Sequence, residues 1–324
     1  RTAPRKSMPL VSVIVPAYNY GRYLREAIES IQAQDYDDLE ILVVDNASTD
    51  DTQAVLASIQ EPRMRVLTLE VNQGLSGAFN LGLESARGEY VAYLDADDRW
   101  RPGKLRPQVE LMESEPGVGV VFCNFAWFDE EGVRDRTQFD IFPEIQSLPS
   151  APTRAGGGRR ITADTFSAFV EMDDPPAWLQ TMLFRREVLD GVRLVPGMRL
   201  CQDTHFGLRV YRRADTAYLP EPLGEVRRHG SNLTRDLSEM THAKVAAFRM
   251  LEDEPLTPGQ RTALRERVGR AWIESGQTAL RQKRPLYAVR AFTRALGYSE
   301  TRGRAAKNLV ALPFHPALLQ GLFT

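Results

Sequence analysis

The hydrophobic residues of the first 125 positions follow two different spacings. Short runs that are apolar at nearly every position are typical of strands buried on both faces of a sheet. Such runs occupy positions 10–17, 39–45, 64–70, 89–96 and 118–125. Between the runs, apolar residues recur every three or four positions, which is the spacing of one helix face. In the first of these segments they are Leu24, Ala27, Ile28 and Ile31. The pattern therefore predicts strands and helices in alternation.

Repeated strand–helix–strand units predict a mostly parallel sheet covered by helices, because parallel neighbours need a long crossover connection. Antiparallel amphipathic strands would instead alternate apolar and polar residues, and these runs do not. The expected fold class is therefore α/β, with a mostly parallel, Rossmann-like sheet flanked by helices. The helix expected over 74–86 is followed by Gly88, which we interpret as its C-cap.

The pattern changes twice along the rest of the chain. From 126 to 160, prolines and glycines predict loops, and a helix capped by Asp203 is expected over 203–213. Two short strands are expected over 215–221 and 223–229. From about Leu237 onward the spacing is helical only. We therefore expect an α/β domain over 1–235 and an all-helical C-terminal region over 236–324.

The charge balance and the two cysteines exclude several classes of protein. The chain has 41 basic and 43 acidic residues, so no global positive field indicates a nucleic-acid partner. Cys123 and Cys201 lack the spacing of a metal site, which suits a reducing compartment and excludes a disulfide framework. The sequence contains no apolar stretch of 18 residues and no signal-peptide pattern. These features predict a cytoplasmic protein.

The C-terminal tail combines positive charge with apolar residues. Arg302, Arg304 and Lys307 precede an apolar segment over 309–323, and such an arrangement can lie on an anionic bilayer. The alternative is that the tail packs on its own domain. Peripheral contact with the inner face of the plasma membrane is therefore a hypothesis, and a lipid-linked substrate would suit it.

Polar or glycine-rich segments follow the first four predicted strands. They read PAYNYG, DNASTD, VNQGLSG and DADDRW. In an open parallel sheet, ligands bind outside the carboxyl ends of the strands, although these residue types are also the default residues of turns. The segment after the first strand has neither the G-x-G-x-x-G of a dinucleotide-binding domain nor the G-K-[ST] of a phosphate loop. If the ligand carries phosphates, something other than a backbone cradle must neutralise them.

Three aspartates follow the fourth predicted strand, namely Asp95, Asp97 and Asp98. A spacing of two at a strand end points Asp95 and Asp97 in the same direction. Mg²⁺ and Mn²⁺ take oxygen ligands, and they often bind through one or two carboxylates plus substrate phosphates. The alternative is an acidic cluster that caps the helix expected after RPGKL. The spacing favours a divalent metal, which would let acidic residues hold an acidic ligand.

Four stretches together resemble the inverting glycosyltransferases of family 2. They are VSVIVPAYNYGRYLREAIESI, EILVVDNASTDDT, NQGLSGAFNLGLESARGEYVAYLDADD and FRRE. The match is dense from about 10 to 102 and continues in patches to about 235. It implies the nucleotide-sugar-binding GT-A fold, with a D-x-D motif at 95–97. The order of the blocks together with this motif is specific, whereas no single piece is.

The resemblance assigns roles to the strand-end residues. Asp45 is expected to hydrogen-bond the nucleobase, and its alternative role is to cap the segment that starts at Ser48. Asp95 would meet the ribose or the metal's water shell, Asp97 would bind the metal, and Asp98 would be structural. The other residues implied for nucleotide-sugar binding are Pro16, Ala17 and Tyr18 beside the base, and Gly74, Ser76, Asn80 and Ala96 near the nucleotide.

A catalytic base is implied further along the chain. Many relatives begin a helix with a Glu-Asp pair, which here reads Gln202-Asp203. Asp203 is the candidate base, with a plain helix cap as the alternative, and any role of the missing Glu is in doubt. A helix dipole lowers the pKa of a carboxyl group at this position. A raised pKa of Asp203 would therefore require burial or neighbouring carboxylates.

The later blocks also imply residues that contact metal, diphosphate and acceptor. In VRRHGSNLT, His229 resembles the histidine that completes the metal site in several relatives, and a structural histidine is the alternative. Arg228 or Arg227 suits the diphosphate, because a guanidinium matches phosphate oxygens. Trp178 is either a stacking surface for an acceptor sugar or a core residue.

These assignments predict an inverting glycosyltransferase that uses Mn²⁺ or Mg²⁺. It would move a sugar from a nucleoside diphosphate sugar, with UDP expected, to a hydroxyl of a glycan or lipid-linked acceptor in surface polysaccharide or glycoconjugate biosynthesis. One alternative is a nucleotidyltransferase that makes a sugar nucleotide. Another is an inactive nucleotide-binding scaffold whose terminal helices bind a partner. A homo-oligomer is left open, and the sequence identifies neither the sugar nor the linkage.

Overall fold

The computed structural model describes residues 9–230 and 237–312, which form two compact units. The described part of the first unit contains residues up to 165, 177–199 and 210–230. The second contains 166–176, 200–209 and the helices from 237 onward. Two short segments before residue 210 therefore group with the C-terminal helices. The sequence pattern, with its single expected boundary after residue 235, does not reveal this grouping.

A mixed sheet of eleven strands organises the described part of the first unit. The strands are β1 (Val11–Ala17), β2 (Leu39–Asp45), β3 (Met64–Thr68), β4 (Tyr90–Tyr93), β5 (Arg99–Trp100), β6 (Val118–Asp129), β7 (Gly132–Thr137), β8 (Ser150–Pro152), β9 (Arg159–Ile161), β10 (Met182–Arg185) and β11 (Asp215–Arg227). The main path runs β3-β2-β1-β4-β10-β6-β11-β9-β8, while β5 pairs with β11 and β7 pairs with β6.

The strands predicted as buried runs are parallel to one another. β1 pairs in parallel with β2 and β4, and β2 pairs in parallel with β3. β10 is antiparallel to both β4 and β6, so β6 runs in the direction of β4, and β11 is parallel to β6. The carboxyl ends of β1 to β4 therefore share one edge of the sheet with the carboxyl ends of β6 and β11. The predicted α/β architecture is confirmed.

Helices cover this sheet and connect its parallel strands. The helices up to residue 211 are α1 (Gly21–Gln32), α2 (Thr52–Ser58), α3 (Gly74–Ser85), α4 (Leu105–Ser114), α5 (Gln138–Ile141), α6 (Thr165–Val170) and α7 (Gln202–Tyr211). The apolar face predicted for α1 is fully buried, at Leu24, Ala27, Ile28 and Ile31. Burying a Leu or Ile side chain contributes roughly 1.5–3 kcal/mol each, so this face holds α1 on the sheet.

The described residues from 237 onward are helical, as the spacing predicts. They form α8 (Leu237–Met250), α9 (Pro258–Arg281), α10 (Pro285–Ala295) and α11 (Arg302–Ala311). α9 begins with a capping box, in which Thr257 Oγ1 accepts the Gln260 backbone N–H at 3.3 Å and Gln260 Oε1 accepts the Thr257 N–H at 3.1 Å. None of the described helices is both long enough and apolar enough to cross a membrane.

Gly88 does not cap α3, contrary to expectation. The Gly88 N–H donates to Ser12 Oγ at 2.8 Å. A Cβ atom at Gly88 would lie 2.6 Å from the Leu10 carbonyl oxygen, a distance that no side chain tolerates. Glycine is required here because the chain passes close to β1 before β4 begins.

Two other local expectations are wrong. α7 begins at Gln202, so Asp203 lies in its first turn and is not its cap. The two strands expected over 215–221 and 223–229 are one strand, β11. Its pairing with β6 shifts register on both sides of Pro222, and such an irregularity is where a strand tolerates a residue without an N–H.

Candidate functional site

The loop after β1 is bonded to the loop after β2 through Asn19. The Asn19 side-chain oxygen accepts the backbone N–H of Thr49 at 2.7 Å, and the Asn19 N–H donates to Ser48 Oγ at 3.0 Å. Asn19 adopts φ +57°, a left-handed conformation that Asn tolerates better than most residues. In the sequence Asn19 is only a turn residue, whereas in the fold it connects two loops of the carboxyl edge.

Asn46 connects the loop after β2 to the loop after β3 in the same way. This buried side chain donates from Nδ2 to Asn72 Oδ1 and to the Gly74 carbonyl oxygen, each at 3.0 Å. Its Oδ1 accepts the Gln73 N–H at 2.9 Å. The sequence analysis missed this residue, and the signal that could have found it is the Asn present in each of the first three loops.

The residues expected beside the nucleobase lie at the ends of β1 and β2. Asp45 is fully buried, and its Oδ1 accepts the Ser48 N–H while its Oδ2 accepts the Gln53 side-chain N–H, both at 3.0 Å. These bonds match the capping alternative, although a carboxylate has further lone pairs for a ligand. The other three residues expected beside the nucleobase are Pro16, Ala17 and Tyr18. Only Tyr18 is exposed, to 40 %.

α3 carries the residues expected near the nucleotide, and two of them bond inside the unit. Ser76 Oγ donates to the Val195 carbonyl oxygen at 2.9 Å. Asn80 Nδ2 donates to the Leu194 carbonyl oxygen at 2.9 Å, and the Leu194 N–H donates to Asn80 Oδ1 at 3.0 Å. Gly74 is exposed and begins α3 at φ +69°. Ser76 and Asn80 therefore anchor a neighbouring segment, and Gly74 faces solvent.

The structure brings Asp97 and His229 together. Asp97 Oδ2 lies 2.8 Å from His229 Nε2, although the two residues are 132 positions apart in the sequence. β11 returns the chain to the carboxyl edge, and His229 follows its end. The Tyr93 hydroxyl donates to Asp95 Oδ1 and fixes this carboxylate. Ala96, between the two aspartates, is buried.

Asp98 connects β11 to the D-x-D loop. It is buried, and its Oδ1 accepts the backbone N–H of Arg227 at 2.8 Å. Burial raises the pKa of Asp98 well above its usual value, and the negative charges of Asp95 and Asp97 raise it further. The loop therefore brings three carboxyl groups close together and favours the protonated form of Asp98.

Arg227 supports the D-x-D loop from the other side. Its Nε donates to the Asp97 carbonyl oxygen at 2.8 Å, and its guanidinium also bonds to Glu26 on α1. The guanidinium carbon lies 4.2 Å from the centre of the Phe128 ring and 4.6 Å from that of Tyr23. Because these contacts occupy the guanidinium, Arg227 positions Asp97, and Arg228 is the better candidate for a diphosphate.

Arg228 and Trp178 border a cluster of aromatic rings. The Arg228 guanidinium carbon lies 4.6 Å from the centre of the Trp127 ring. The Phe125 ring makes edge-to-face contacts with Trp127 at 5.0 Å and with Trp178 at 5.2 Å. Trp127 and Trp178 are both partly exposed. Trp178 therefore belongs to a packed cluster and still presents surface, and Trp127 is a partner that the sequence analysis missed.

Asp97 and His229 are of the residue types that bind divalent metals. Their contact of 2.8 Å between Oδ2 and Nε2 is that of a hydrogen bond or ion pair. Within 9–230 and 237–312, no group of three or more His, Cys, Asp or Glu side chains could hold a metal. A cation at this pair would need further oxygen ligands, which substrate phosphates and water commonly supply.

Asp203 belongs to the second unit, in the first turn of α7. Its Oδ1 accepts the Thr204 N–H at 2.8 Å. Burial raises the pKa of Asp203 to about 6, and the charge of Asp174 adds to the effect of burial. Burial and a neighbouring carboxylate are the kinds of cause that the sequence analysis expects for a raised pKa at this position. Gln202, at the position of the missing Glu, is buried.

The curated relatives match 33–43% of the chain. One is an Escherichia coli protein described as a UDP-Glc:alpha-D-GlcNAc-diphosphoundecaprenol beta-1,3-glucosyltransferase. It is 38% identical over 138 residues, which cover 43% of this chain and 54% of the relative. The chain spans about half or less of the length of the curated relatives it matches.

Solved structures match nearly the whole chain at low identity. Staphylococcus aureus TarS 1-349, solved with UDP-GlcNAc, has a TM-score of 0.68 at 18% identity, with 93% of this chain and 87% of that chain covered. A mannosyltransferase from Pyrobaculum calidifontis, solved with GDP-Man and Mn²⁺, has a TM-score of 0.55 at 20% identity, with 96% and 82% covered. At such identities the likeness concerns the fold, which is the GT-A fold of both.

The family model "Glycosyl transferase family 2" matches residues 12–189. This range contains β1 from its second residue, β2 to β4, the loops at the carboxyl ends of these strands and the D-x-D motif. More than half of the chain is matched, and the fold agrees. The protein is therefore a member of glycosyltransferase family 2.

Proposed function

We propose that this chain transfers a sugar from a nucleoside diphosphate sugar, with UDP as the expected nucleotide, to an acceptor hydroxyl with inversion at the anomeric carbon. The observation that carries the proposal is the 2.8 Å approach of Asp97 Oδ2 and His229 Nε2 at the carboxyl edge of the sheet. This edge is where open α/β sheets bind ligands. The neighbours solved with UDP-GlcNAc and with GDP-Man and Mn²⁺ support a nucleotide-sugar ligand.

Asp97 and His229 would hold the divalent cation. A bound Mn²⁺ or Mg²⁺ supplies positive charge to the leaving diphosphate. A mixed carboxylate and imidazole set is softer than an all-oxygen set, which favours Mn²⁺ over Mg²⁺. Arg227 fixes the Asp97 backbone, and Arg228 would add a guanidinium for the phosphate oxygens.

Asp203 would act as the general base. With a pKa raised to about 6 by burial, it is ionised at neutral pH and still basic enough to accept a proton. The acceptor hydroxyl gives its proton to Asp203, and its oxygen attacks the anomeric carbon from the face opposite the diphosphate. The bond between the anomeric carbon and the diphosphate oxygen breaks in the same step, which inverts the configuration.

The acceptor proposed is a glycan or a lipid-linked glycan in surface polysaccharide or glycoconjugate biosynthesis. A relative whose description names a diphosphoundecaprenol-linked acceptor supports this class. Trp178, partly exposed beside Phe125, would present a ring to an apolar sugar face. Of the apolar tail over 309–323 that is expected to contact a membrane, residues 313–323 lie outside the described residues.

The test is a panel of UDP-, GDP- and dTDP-sugars scored for donor hydrolysis with Mn²⁺, with Mg²⁺ and with a chelator. We expect one donor to be hydrolysed, and we expect the chelator to abolish hydrolysis. Asp97→Asn should lower the rate about 100-fold or more, as does loss of a group that stabilises developing charge. Asp37→Asn is the matched control, because this exposed residue precedes β2 at the opposite edge of the sheet.

Three outcomes would contradict the proposal. If hydrolysis continued both with the chelator and in Asp97→Asn, the reaction would need neither a metal nor Asp97, and the proposed metal site would be refuted. Pyrophosphate release from a nucleoside triphosphate and a sugar phosphate would instead indicate a nucleotidyltransferase. No calorimetric binding of any nucleoside diphosphate with Mn²⁺ would indicate an inactive scaffold.

A further inference from the structure

The second unit contains a shallow cavity, open to solvent, of about 280 Å³ at the ends of α8 and α10 and beside the middle of α9. Two aromatic rings and three arginines dominate its wall, with one glutamate. These residues are Trp272, Tyr298, Arg249, Arg265, Arg294 and Glu252. The proposed donor and base residues are not among them, so the cavity is a feature separate from the proposed transfer chemistry.

The aromatic rings and the guanidinium groups of the cavity are paired. The Arg294 guanidinium carbon lies 5.3 Å from the centre of the Trp272 ring, and that of Arg265 lies 5.3 Å from the centre of the Tyr298 ring. The Tyr298 hydroxyl can both donate and accept a hydrogen bond, and the Trp272 indole N–H can donate one. The wall therefore offers ring surface next to positive hydrogen-bond donors.

Stabilisation of helix ends explains part of the positive charge of the cavity, but not all of it. Arg249 lies in the last turn of α8, and Arg294 lies in the last turn of α10. Positive side chains at these positions stabilise a helix. Arg265 lies inside α9, seven residues before Trp272, where no helix end accounts for it. Helix stability also gives no reason for the arginines to share one cavity with two aromatic rings.

The acidic residues nearby do not cancel the positive charge. Glu252 lies 3.8 Å from Arg249, and Glu300 lies 3.8 Å from Arg265, measured between the nearest nitrogen and oxygen. Three arginines against two glutamates leave an excess of one positive charge. The Arg249 and Arg265 side chains are 49% and 38% exposed. Ion pairs this exposed contribute little, so Arg249 can turn to an incoming anion at low cost, and Arg265 can do so by giving up an exposed hydrogen bond of 3.3 Å to the Gly297 carbonyl oxygen.

We propose that this cavity binds one sugar residue that carries a phosphate or carboxylate group. The rings of Trp272 and Tyr298 would pack on the apolar face of the sugar, and the guanidinium groups would take the anionic group. Binding pockets for drug-sized ligands measure roughly 300–1,000 Å³. A volume of about 280 Å³ is just below that range, which suits one sugar ring better than a nucleotide sugar.

A second glycan-binding site would hold an acidic acceptor chain on the enzyme. This role rests on the proposed function, whereas the binding of an anionic sugar does not. Binding and donor hydrolysis can be measured separately. Loss of hydrolysis with the cavity intact would overturn the proposed function alone. Absence of sugar binding at the cavity with hydrolysis intact would overturn the present inference alone.

The test follows the indole N–H signal of Trp272 in a nitrogen-15 spectrum of the whole chain, assigned with Trp272→Phe. The four probes are glucuronate, glucose 6-phosphate, glucose and inorganic phosphate. We expect a saturable shift with the two anionic sugars, a much smaller shift with inorganic phosphate, and none with glucose. High salt should weaken the binding, because exposed charges are screened. Once the signal is assigned, this comparison requires only the unaltered protein.

Two variants sharpen the test. Arg249→Gln with Arg294→Gln should weaken binding of glucose 6-phosphate by about tenfold or more, since charge-assisted hydrogen bonds are lost. Arg290→Gln, at an exposed position one turn before Arg294 on α10, is the matched control and should bind as the unaltered chain does. Neither change should alter donor hydrolysis.

The inference is overturned if the Trp272 signal does not respond to either anionic sugar, or if glucose shifts it equally. It is also overturned if the double variant, with an unchanged melting temperature, binds as tightly as the original. A response to phosphatidylglycerol vesicles without any response to the sugars would assign the cavity to a membrane surface and would refute an anionic-sugar site.

Discussion

At the scale of single residues, Asp203 shows how burial can overrule a local effect. Its place in the first turn of α7 and its bond from the Thr204 N–H both lower the pKa of a carboxyl group. Burial outweighs them, and with help from Asp174 it raises the pKa to about 6. A base in this range is deprotonated at neutral pH and still accepts a proton readily. The same charge costs stability whenever the group is ionised.

Replacing Asp203 by Asn should therefore abolish transfer and stabilise the fold. A folded pKa of about 6 lies above the ordinary 3.8, so the stability that the group contributes is present below 3.8 and is lost as the pH rises through 6. At pH 8 the ionised side chain costs about 2 kcal/mol, allowing for its partial exposure. Asp203→Asn should raise the free energy of unfolding by about that amount at pH 8, and hardly at all at about pH 3.

Urea unfolding at the two pH values checks the stability, and the pH dependence of kcat/KM checks the chemistry. In the unaltered chain, kcat/KM should rise with pH through about 6 and then level off, because the base must be ionised. Donor hydrolysis should keep its metal dependence in Asp203→Asn. Normal transfer by this variant, or lower stability at pH 8, would refute the assignment.

At the scale of elements, the loops at the carboxyl edge act together because asparagines bond them to each other. Asn19 joins the loops after β1 and β2, and Asn46 joins those after β2 and β3. Each loop alone would be an ordinary turn. Bonded together, they give the proposed nucleotide pocket a fixed shape, which lowers the entropy that donor binding must overcome.

Asn46→Asp tests this connection with a change of almost no volume. The carboxylate keeps the bond from the Gln73 N–H and loses both donations, to Asn72 Oδ1 and to the Gly74 carbonyl oxygen. The new carboxylate is buried and faces two acceptor oxygens without a donor on that side, and a buried polar group left unsatisfied in this way costs about 1–3 kcal/mol. We expect a lower melting temperature, and a KM for the donor raised severalfold with a smaller change in kcat.

Asn308→Asp is the control for this change. Asn308 is partly exposed on α11, and its Nδ2 donates to the Arg304 carbonyl oxygen one turn earlier. This variant should shift the melting temperature by at most a degree or two, and its KM for the donor should be unchanged. An unaltered KM in Asn46→Asp would show that the loops keep their shape without this residue.

At the scale of the whole molecule, the C-terminal helices support the surroundings of the proposed base. Lys244 on α8 donates to the Asp173 carbonyl oxygen at 2.8 Å, and Arg270 on α9 donates to that of Glu171 at 2.6 Å. The segment they hold contains Asp174, whose charge helps to raise the pKa of Asp203. All of these residues belong to the second unit. The helical region therefore contributes to the chemistry proposed for Asp203.

Loosening this segment should change the base and spare the donor site. In a variant with Lys244→Met and Arg270→Met, Asp174 is held less closely, so the pKa of Asp203 should fall. The rise of kcat/KM should then move to lower pH, and kcat should drop severalfold. Arg304→Met with Lys307→Met, two exposed positions on α11, is the control. A pH profile identical to that of the unaltered chain would refute this support role.

The sequence alone determined most of the elements and the edge of the sheet at which the candidate site lies. The run at 39–45 is a strand with the bounds predicted, and the face of α1 is buried as its spacing indicates. These features follow from periodicity, which is local, because neighbouring positions fix which side chains share a face. The order of the motif blocks indicated the family, and the match to the family model confirms it. The D-x-D roles remain predictions.

Tertiary structure decided which distant residues meet and how buried each one is. The approach of Asp97 and His229 depends on β11 returning beside β6, a pairing that no local pattern encodes. The role of Arg227 likewise depends on the contacts its guanidinium makes with distant elements. Proton affinity depends on burial, and burial is a property of the packed fold. For this reason the sequence could name Asp203, and only the structure could set its pKa.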